Sequence, residues 1–208
     1  QTPIEFGADF VVHSTTKYIN GHSDVVGGAV IAKDAEQHSR LTWWANALGI
    51  TGAPFDSFLT LRGLRTLDAR LRVHQENTVA LIEVLQGHPA VRRLHYPGHA
   101  VAVRQQHGFG AMLSLELDGG EQAVRAFVDG LEYFTLAESL GGVESLIAHP
   151  ATMTHAAMTS EARAAAGIGD GLLRLSIGIE HVDDLVADIA AALDRALGAV
   201  DSRKQVAL

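Results

Sequence analysis

The sequence predicts a mixed α/β chain whose second half forms an α+β domain, and three observations carry that reading. Two short β-rich runs, residues 10–12 and 25–32, flank a loop dense in hydroxyl side chains. A helical pattern then runs from Asp56 until Gly87 and Pro89 stop it. Beyond it strand and helix patterns alternate, an order that suits an antiparallel-leaning sheet covered by helices on one face.

Each element has a local reason. Phe10, Val11 and Val12 follow a Gly/Asp turn signal and read as a buried strand, and residues 25–32, with Gly27 and Gly28 inside, read as the next. Asp34 is placed to cap a short helix reaching Trp44, in which His38, Leu41 and Trp44 recur at near-helical spacing. Residues 49–54 are a turn-rich break. On the long helix Leu67, Leu71, Thr78, Leu81 and Leu85 keep to one face, while Arg65, Arg70, Arg72 and Glu76 lie off it. Such a helix is long enough to bridge two domains, and the boundary is placed near Gln75. Strands are expected over 91–96, 110–117, 133–137 and 172–178, and helices over 121–130 and 160–166. The last helix, 182–197, sets Asp183 and Asp184 at its N-terminal dipole and Gly198 just past its end. Residues 201–208 are left as a frayed polar tail.

Bulk composition narrows the function classes. A chain of 208 residues with 47% hydrophobic content buries a sizeable core, without an apolar run long enough to cross a bilayer. The opening residues lack the basic and apolar segments of a signal peptide. A formal net charge of −8 argues against a nucleic-acid or anionic-membrane partner. The absence of cysteine excludes disulfides and thiolate metal sites and fits a reducing, cytoplasmic location. Eleven histidines are scattered; His95 with His99, or His149 with His155, lack the carboxylate or cysteine that would complete a ligand set, so no metal site is expected.

The chemistry concentrates around Lys17. The strand at 10–12 delivers Ser14, Thr15, Thr16 and Lys17 to an edge: three hydroxyls, then an amine. Closely spaced hydroxyls and exposed backbone N–H groups suit a phosphate, and a neighbouring lysine suits a Schiff base with a carbonyl. Pyridoxal phosphate offers both groups in one molecule. On spacing alone, a solvated loop lysine is the commoner outcome of so short a motif. Arg174 poses a second question, because it interrupts the apolar run Leu172, Leu173, Leu175, Ile177. A charge there is costly unless an internal or a substrate carboxylate meets it, and the planar guanidinium suits a two-pronged grip on such a group. Alternation along Phe134, Leu136 and Glu138 puts the glutamate in line with an apolar face.

The stretch Ser14-Thr15-Thr16-Lys17-Tyr18-Ile19-Asn20-Gly21-His22-Ser23-Asp24 resembles the cofactor-lysine signature of the pyridoxal-phosphate enzymes of cysteine and methionine metabolism, the trans-sulfuration family. Blocks at 134–146, 150–155 and 173–180 match further family segments in order, and the similarity runs from about residue 7 to about residue 197. The resemblance implies the fold type I (aspartate aminotransferase-like) architecture. Residues 1–75 would be the closing part of the cofactor-binding large domain, and 76–208 an α+β small domain. It implies pyridoxal 5'-phosphate as cofactor, with Lys17 as the lysine that carries it and Ser14 and Thr16 as phosphate-binding hydroxyls. Arg174 is implied as the α-carboxylate ligand, with Ser139, Glu138 and Thr154 as further substrate-binding residues. An acidic residue at the Glu138 position is similar to members acting at the substrate's γ-carbon. Trp43-Trp44-Ala45-Asn46, Arg104-Gln105-Gln106 and residues 108–114 resemble the bacterial cystathionine γ-synthase branch.

The implied reaction is γ-replacement, in which cysteine displaces the acyl group of O-succinyl- or O-acetylhomoserine to give cystathionine. Its rivals are γ-elimination of cystathionine and an inactive fragment retaining only packing surfaces. A homotetramer, a dimer of active dimers, is implied as the assembly. Two departures stand out. The family's segment before Gln1 carries an aspartate for the cofactor's ring nitrogen, a tyrosine that stacks on the ring, and a tyrosine–arginine pair for a neighbouring phosphate. Residues 96–100 are also shorter than in other members. The chain alone is therefore expected to be inactive, and its first strands to present exposed apolar faces and open edges.

Overall fold

The computed structural model describes residues 1–206, with 201–206 described by backbone alone. It divides into two compact units, Gln1–Asp68 and Ala69–Leu208.

In the first unit β1 (Phe10–Ser14) and β2 (Gly28–Ala32) form a two-stranded antiparallel sheet in the register Phe10↔Ala32 to Ser14↔Gly28. The second strand starts at Gly28 and not at Val25, because Gly27 is occupied with the loop after β1: its carbonyl accepts from Thr15 N at 2.9 Å. Helix α1 (Ala35–Leu48) opens on Asp34, whose Oδ1 accepts from Gln37 N at 2.8 Å, and closes on Gly49 at φ 70°. That is the side-chain cap and left-handed stop expected of such ends. Helix α2 (Pro54–Leu64) has proline in its first turn, where the missing N–H costs nothing. The long helix expected from Asp56 is broken after Leu64. Arg65 and Thr66 form a tight turn in which both the N–H and the hydroxyl of Thr66 return to Gly63 O at 3.1 Å. A threonine side chain that bonds local backbone offers the chain an alternative to helix.

The first strand is not the buried strand its apolar run suggests; it shows the exposed apolar faces expected of this chain alone. Val12 is 74% exposed, and Phe10, Val30 and Ile31 are also open; Val25 is the single buried apolar side chain of the unit. Within the first unit the β1–β2 pair keeps only Val11, Ala29 and Ala32 half-buried.

The second unit has a full core. Helix α3 (Leu67–Leu85) leads into β3 (Val91–His95), α4 (Ala100–Gln105), β4 (Met112–Leu117), α5 (Gly120–Val128), β5 (Thr135–Leu136), β6 (Leu146–Ala148), α6 (Ser160–Ala165), β7 (Leu172–Ser176) and α7 (Val182–Val206). The strands order as β3-β4-β7-β6-β5, every neighbouring pair antiparallel except β5–β6. Period-two alternation turns Leu113, Leu115 and Leu117 of β4 inward beside Leu173 and Leu175 of β7. Onto this face α5 brings Ala123, Val124 and Phe127, and α7 brings Leu185, Ile189, Ala192, Leu193 and Ala196 at helical spacing. Each fully buried leucine, isoleucine or phenylalanine contributes about 1.5–3 kcal/mol.

Three expectations need correction here. Arg70, assigned to the outer face of its helix, is buried, and that burial lowers its guanidinium pKa. Helix α7 does not stop at Leu197 but passes through Gly198 to Val206, so the expected tail is helical as far as it is described; residues 207–208 lie outside the described residues. One interior glycine costs a helix only about 1 kcal/mol. The strand expected over 133–137 shrinks to Thr135–Leu136, and two short elements, α4 and β6, appear where no strong pattern announced them. Among the described residues no helix is long and apolar enough to cross a membrane.

Candidate active site

Lys17 sits in a tight loop built by its neighbours. Asn20 N returns to Thr15 O at 3.0 Å and Gly21 N to Lys17 O at 2.8 Å, and Gly21 takes φ 75°. Asn20 is buried; its Nδ2 donates to Asp24 Oδ1 at 2.7 Å, closing the far side of the turn. The Thr16 hydroxyl bridges to the second strand, accepting from Gly27 N at 3.0 Å and donating to Gly27 O at 3.3 Å. Two glycines permit this compactness. A Cβ on Gly27 would lie 2.8 Å from Thr15 Oγ1, and one on Gly63 of α2 would run into the Asn20 carbonyl. Lys17 is thus half-buried on a backbone held at both ends, while Ser14 presents an exposed hydroxyl at the end of β1.

The second unit assembles three more of the expected residues. Arg174, on β7 and half-buried, donates through Nη2 to the backbone carbonyls of Glu138 at 2.7 Å and Ser139 at 2.9 Å. Among the described residues no carboxylate forms an ion pair with it, and its Nε is buried without a hydrogen-bond partner. Burial lowers the Arg174 pKa, and the Glu138 charge opposes that shift. Glu138 does not continue an apolar face: Leu136 and Glu138 are both exposed, because β5 is a two-residue edge strand and the alternation ends with it.

Loop 137–145 is laid along β7 and its continuation. Gly141 N donates to the buried Ser176 Oγ at 2.8 Å, Ile179 N to Val143 O at 2.8 Å, and Ser145 N to Glu180 Oε1 at 2.6 Å. Thr154 lies apart in sequence from these residues, on the loop between β6 and α6. It is exposed in a turn, with its hydroxyl on His155 Nδ1 at 2.8 Å. The other histidines considered as ligand pairs have structural partners. His149 meets Thr152 Oγ1 and Asp170 O, His95 meets Glu116, and His99 caps α4.

The model of the Cys/Met metabolism PLP-dependent enzymes matches residues 1–194. The chain belongs to that family. It is 60% identical over 195 residues to cystathionine gamma-synthase of Escherichia coli, covering 91% of this chain and 50% of the relative. Cystathionine gamma-lyase of Dictyostelium discoideum is 47% identical over 201 residues, covering 94% and 52%. The crystal structure of cystathionine gamma synthase from Xanthomonas oryzae pv. oryzae in complex with cystathionine superposes with a TM-score of 0.90 at 72% identity, over 96% of this chain and 53% of that one. The chain spans about half the length of the relatives it matches.

The family is pyridoxal-phosphate dependent, and the residues present fit that group in part. Lys17 and the exposed Ser14 hydroxyl offer an amine and a free donor for an aldehyde and a phosphate. Thr16 fits less directly, since its proton already points at Gly27 O; the 3.3 Å length of that bond makes it the weaker of its two contacts. The orphaned Arg174 Nε is the kind of buried donor that a bound carboxylate satisfies.

Sequence reasoning missed the frame behind Arg174: Ser145, Ser176, Glu180, and His74 and Asn77 of α3. His74 Nδ1 donates to Ile177 O at 2.6 Å, and Asn77 Nδ2 to Gly178 O at 3.1 Å and Glu180 O at 2.9 Å. One signal was available. Gly178 sits between the apolar strand and Glu180, and a Cβ there would collide with the Glu180 carboxylate and the Val143 carbonyl.

Proposed function

We propose that this sequence provides the cofactor lysine and the substrate-carboxylate grip of a cystathionine γ-synthase, which joins cysteine to the γ-carbon of an O-acylated homoserine. The observation that carries the choice is the likeness to two bacterial γ-synthases, at 60% and 72% identity, above the 47–48% shared with lyases and with other γ-synthases alike. The acidic Glu138 supports chemistry at the γ-carbon over the β-carbon. Residues 1–75 are read as the closing part of the large domain and 76–208 as the small domain. This division is supported by the placement of Lys17 and Arg174 in different compact units. By resemblance the working enzyme is a homotetramer of two active dimers, in the cytoplasm.

Bound pyridoxal phosphate supplies an electron sink for charge that develops on the substrate's carbons. Lys17 Nζ would hold the cofactor and, once released, move protons between the substrate's Cα and Cβ. The Ser14 hydroxyl would donate to the phosphate, with Thr16 joining if its proton turns from Gly27 O. Arg174 would bind the α-carboxylate with Nε. Nη2 has two hydrogens and two carbonyl partners, so a two-pronged grip through Nε and Nη2 requires one loop carbonyl to yield. Ser139 would orient the same carboxylate, and Glu138 would face the distal part of the substrate.

The deciding experiment uses the holoenzyme that contains this sequence, assayed in parallel for cystathionine formation from O-succinylhomoserine plus cysteine and for 2-oxobutyrate release from cystathionine. Faster formation is expected, and faster release would transfer the reading to γ-elimination. Lys17→Ala should abolish turnover together with the cofactor's visible absorbance, and retention of that band would remove Lys17 from its role.

A further inference from the structure

The Glu180 carboxylate makes a clasp that the reaction itself does not require. Oε1 accepts from Ser145 N at 2.6 Å and Oε2 from Ser145 Oγ at 2.8 Å, while the same hydroxyl oxygen accepts from Gly178 N at 2.8 Å. One serine and one carboxylate thereby tie the end of loop 137–145 to the chain leaving β7. Asn77 holds the Glu180 carbonyl, and Val143 O receives Ile179 N, so the clasp is anchored from α3 as well. At its other end the loop supplies the two carbonyls that hold Arg174 Nη2. Between the ends, Gly141 N donates to the buried Ser176 Oγ. Side chains of β7, α3 and the chain after β7 thus help to hold this nine-residue crossover between β5 and β6.

We infer that Glu180, acting through Ser145, is a positioning residue for the amino-acid substrate: it holds the loop whose carbonyls aim the Arg174 guanidinium. This rests on the reading of Arg174 as the α-carboxylate ligand. A released loop lets those carbonyls drift, so Arg174 meets a carboxylate from a spread of orientations. Small misplacements of a binding group weaken capture before they affect chemistry at a distant atom, and shifts of an ångström cost up to about a hundredfold.

The test compares Glu180→Ala, Glu180→Gln, Ser145→Ala and Arg174→Ala in the holoenzyme. Glu180→Ala is expected to raise KM for the acylated homoserine about tenfold or more and lower kcat by less than about threefold, with the cofactor's absorbance unchanged. Glu180→Gln keeps an acceptor for Ser145 N and should restore KM to within about threefold. Hydrogen exchange gives a readout independent of activity. The Gly141 and Ser145 amides should exchange about tenfold faster in Glu180→Ala while core amides such as Leu175 stay protected. Should Glu180→Ala fail to fold, Ser145→Ala must show the same KM shift and faster exchange, or the inference is wrong. If Arg174→Ala raises KM and the clasp variants do not, the positioning role alone is overturned. If Arg174→Ala leaves KM unchanged, the carboxylate reading and this inference fall together.

Discussion

Val12 in β1 and Leu175 in β7 are both strand residues of an apolar run, yet Val12 is 74% exposed and Leu175 is completely buried. The contrast extends to the units that contain them. In Gln1–Asp68 order comes from caps, turn hydrogen bonds and two close glycine contacts; in Ala69–Leu208 it comes from a sheet closed by α5 and α7. Short-range polar bonds define a loop geometry but contribute about 0.5–1.5 kcal/mol each, whereas large-to-small changes in a packed core cost about 2–5 kcal/mol. The unit that carries Lys17 is thus held locally, and the one that carries Arg174 is held globally.

The largest effect expected from this difference is at Leu175. Leu175→Ala should cost about 2–5 kcal/mol in urea unfolding of the 208-residue chain, because the removed atoms leave a cavity between β7 and its neighbours. Val12→Ala should stay within about 0.5 kcal/mol. A loss above about 2 kcal/mol for Val12→Ala would mean that β1 is packed against something in solution, and the comparison would break.

Next comes Asp188 of α7, a buried carboxylate that accepts from the backbone N–H groups of Glu132, Tyr133 and Phe134 at 2.9–3.2 Å. Removing it orphans all three donors just before β5. Asp188→Ala should cost about 2–3 kcal/mol, with Asp188→Asn intermediate, since one acceptor oxygen survives. An Asp188→Asn variant as stable as the unaltered chain, with Asp188→Ala alone destabilised, would show that packing, and not the carboxylate, matters there.

How much of this was legible in advance depends on whether the deciding interaction is local. Lys17 and its hydroxyls lie within a few residues and announce themselves by spacing, as does the anomaly of Arg174 in an apolar strand. The cap at Asp34 and the helical stripe of α7 are also local patterns. Glu180 and Ser145 are 35 residues apart, and His74 bonds a carbonyl 103 residues away, so no window contains them. Strand β6 is three residues long, too short for periodicity, and is defined by pairing with β7. Arg70 was misassigned because helical spacing places a residue on a face without saying what covers that face. The alternation from Phe134 to Glu138 fails because β5 spans Thr135–Leu136 alone, leaving both Phe134 and Glu138 outside the strand.

The third prediction sharpens the account of the Lys17 loop. Gly63→Ala places a methyl against the Asn20 carbonyl, and overpacking of that kind costs about 1–3 kcal/mol. The Asn20 and Gly21 amides should then exchange faster. Gly28→Ala, whose Cβ would sit an ordinary 3.5 Å from His13 O, serves as the neutral control. If both variants behave alike, α2 does not set the loop.

The smallest effect is a pH dependence in the second unit, and its sign follows from His74. Burial is the main cause of its lowered pKa, reinforced by the Arg70 charge and opposed by the Ile177 carbonyl and the Glu180 charge. The folded state therefore holds His74 neutral, with its Nδ1 proton on Ile177 O. The unfolded chain takes up a proton as pH falls through the ordinary histidine value of about 6.5. Below that point the unfolded state binds more protons than the folded one, so His74's contribution is complete above it and is lost as pH falls toward the lowered folded value. The decline should appear between about pH 7 and pH 5 in urea unfolding followed at the core amides of β4 and β7. His74→Gln keeps a donor for the Ile177 carbonyl but cannot titrate, so its profile should be flatter over that window. An equally steep profile in the variant would assign the decline to other histidines and detach α3 from any role in it.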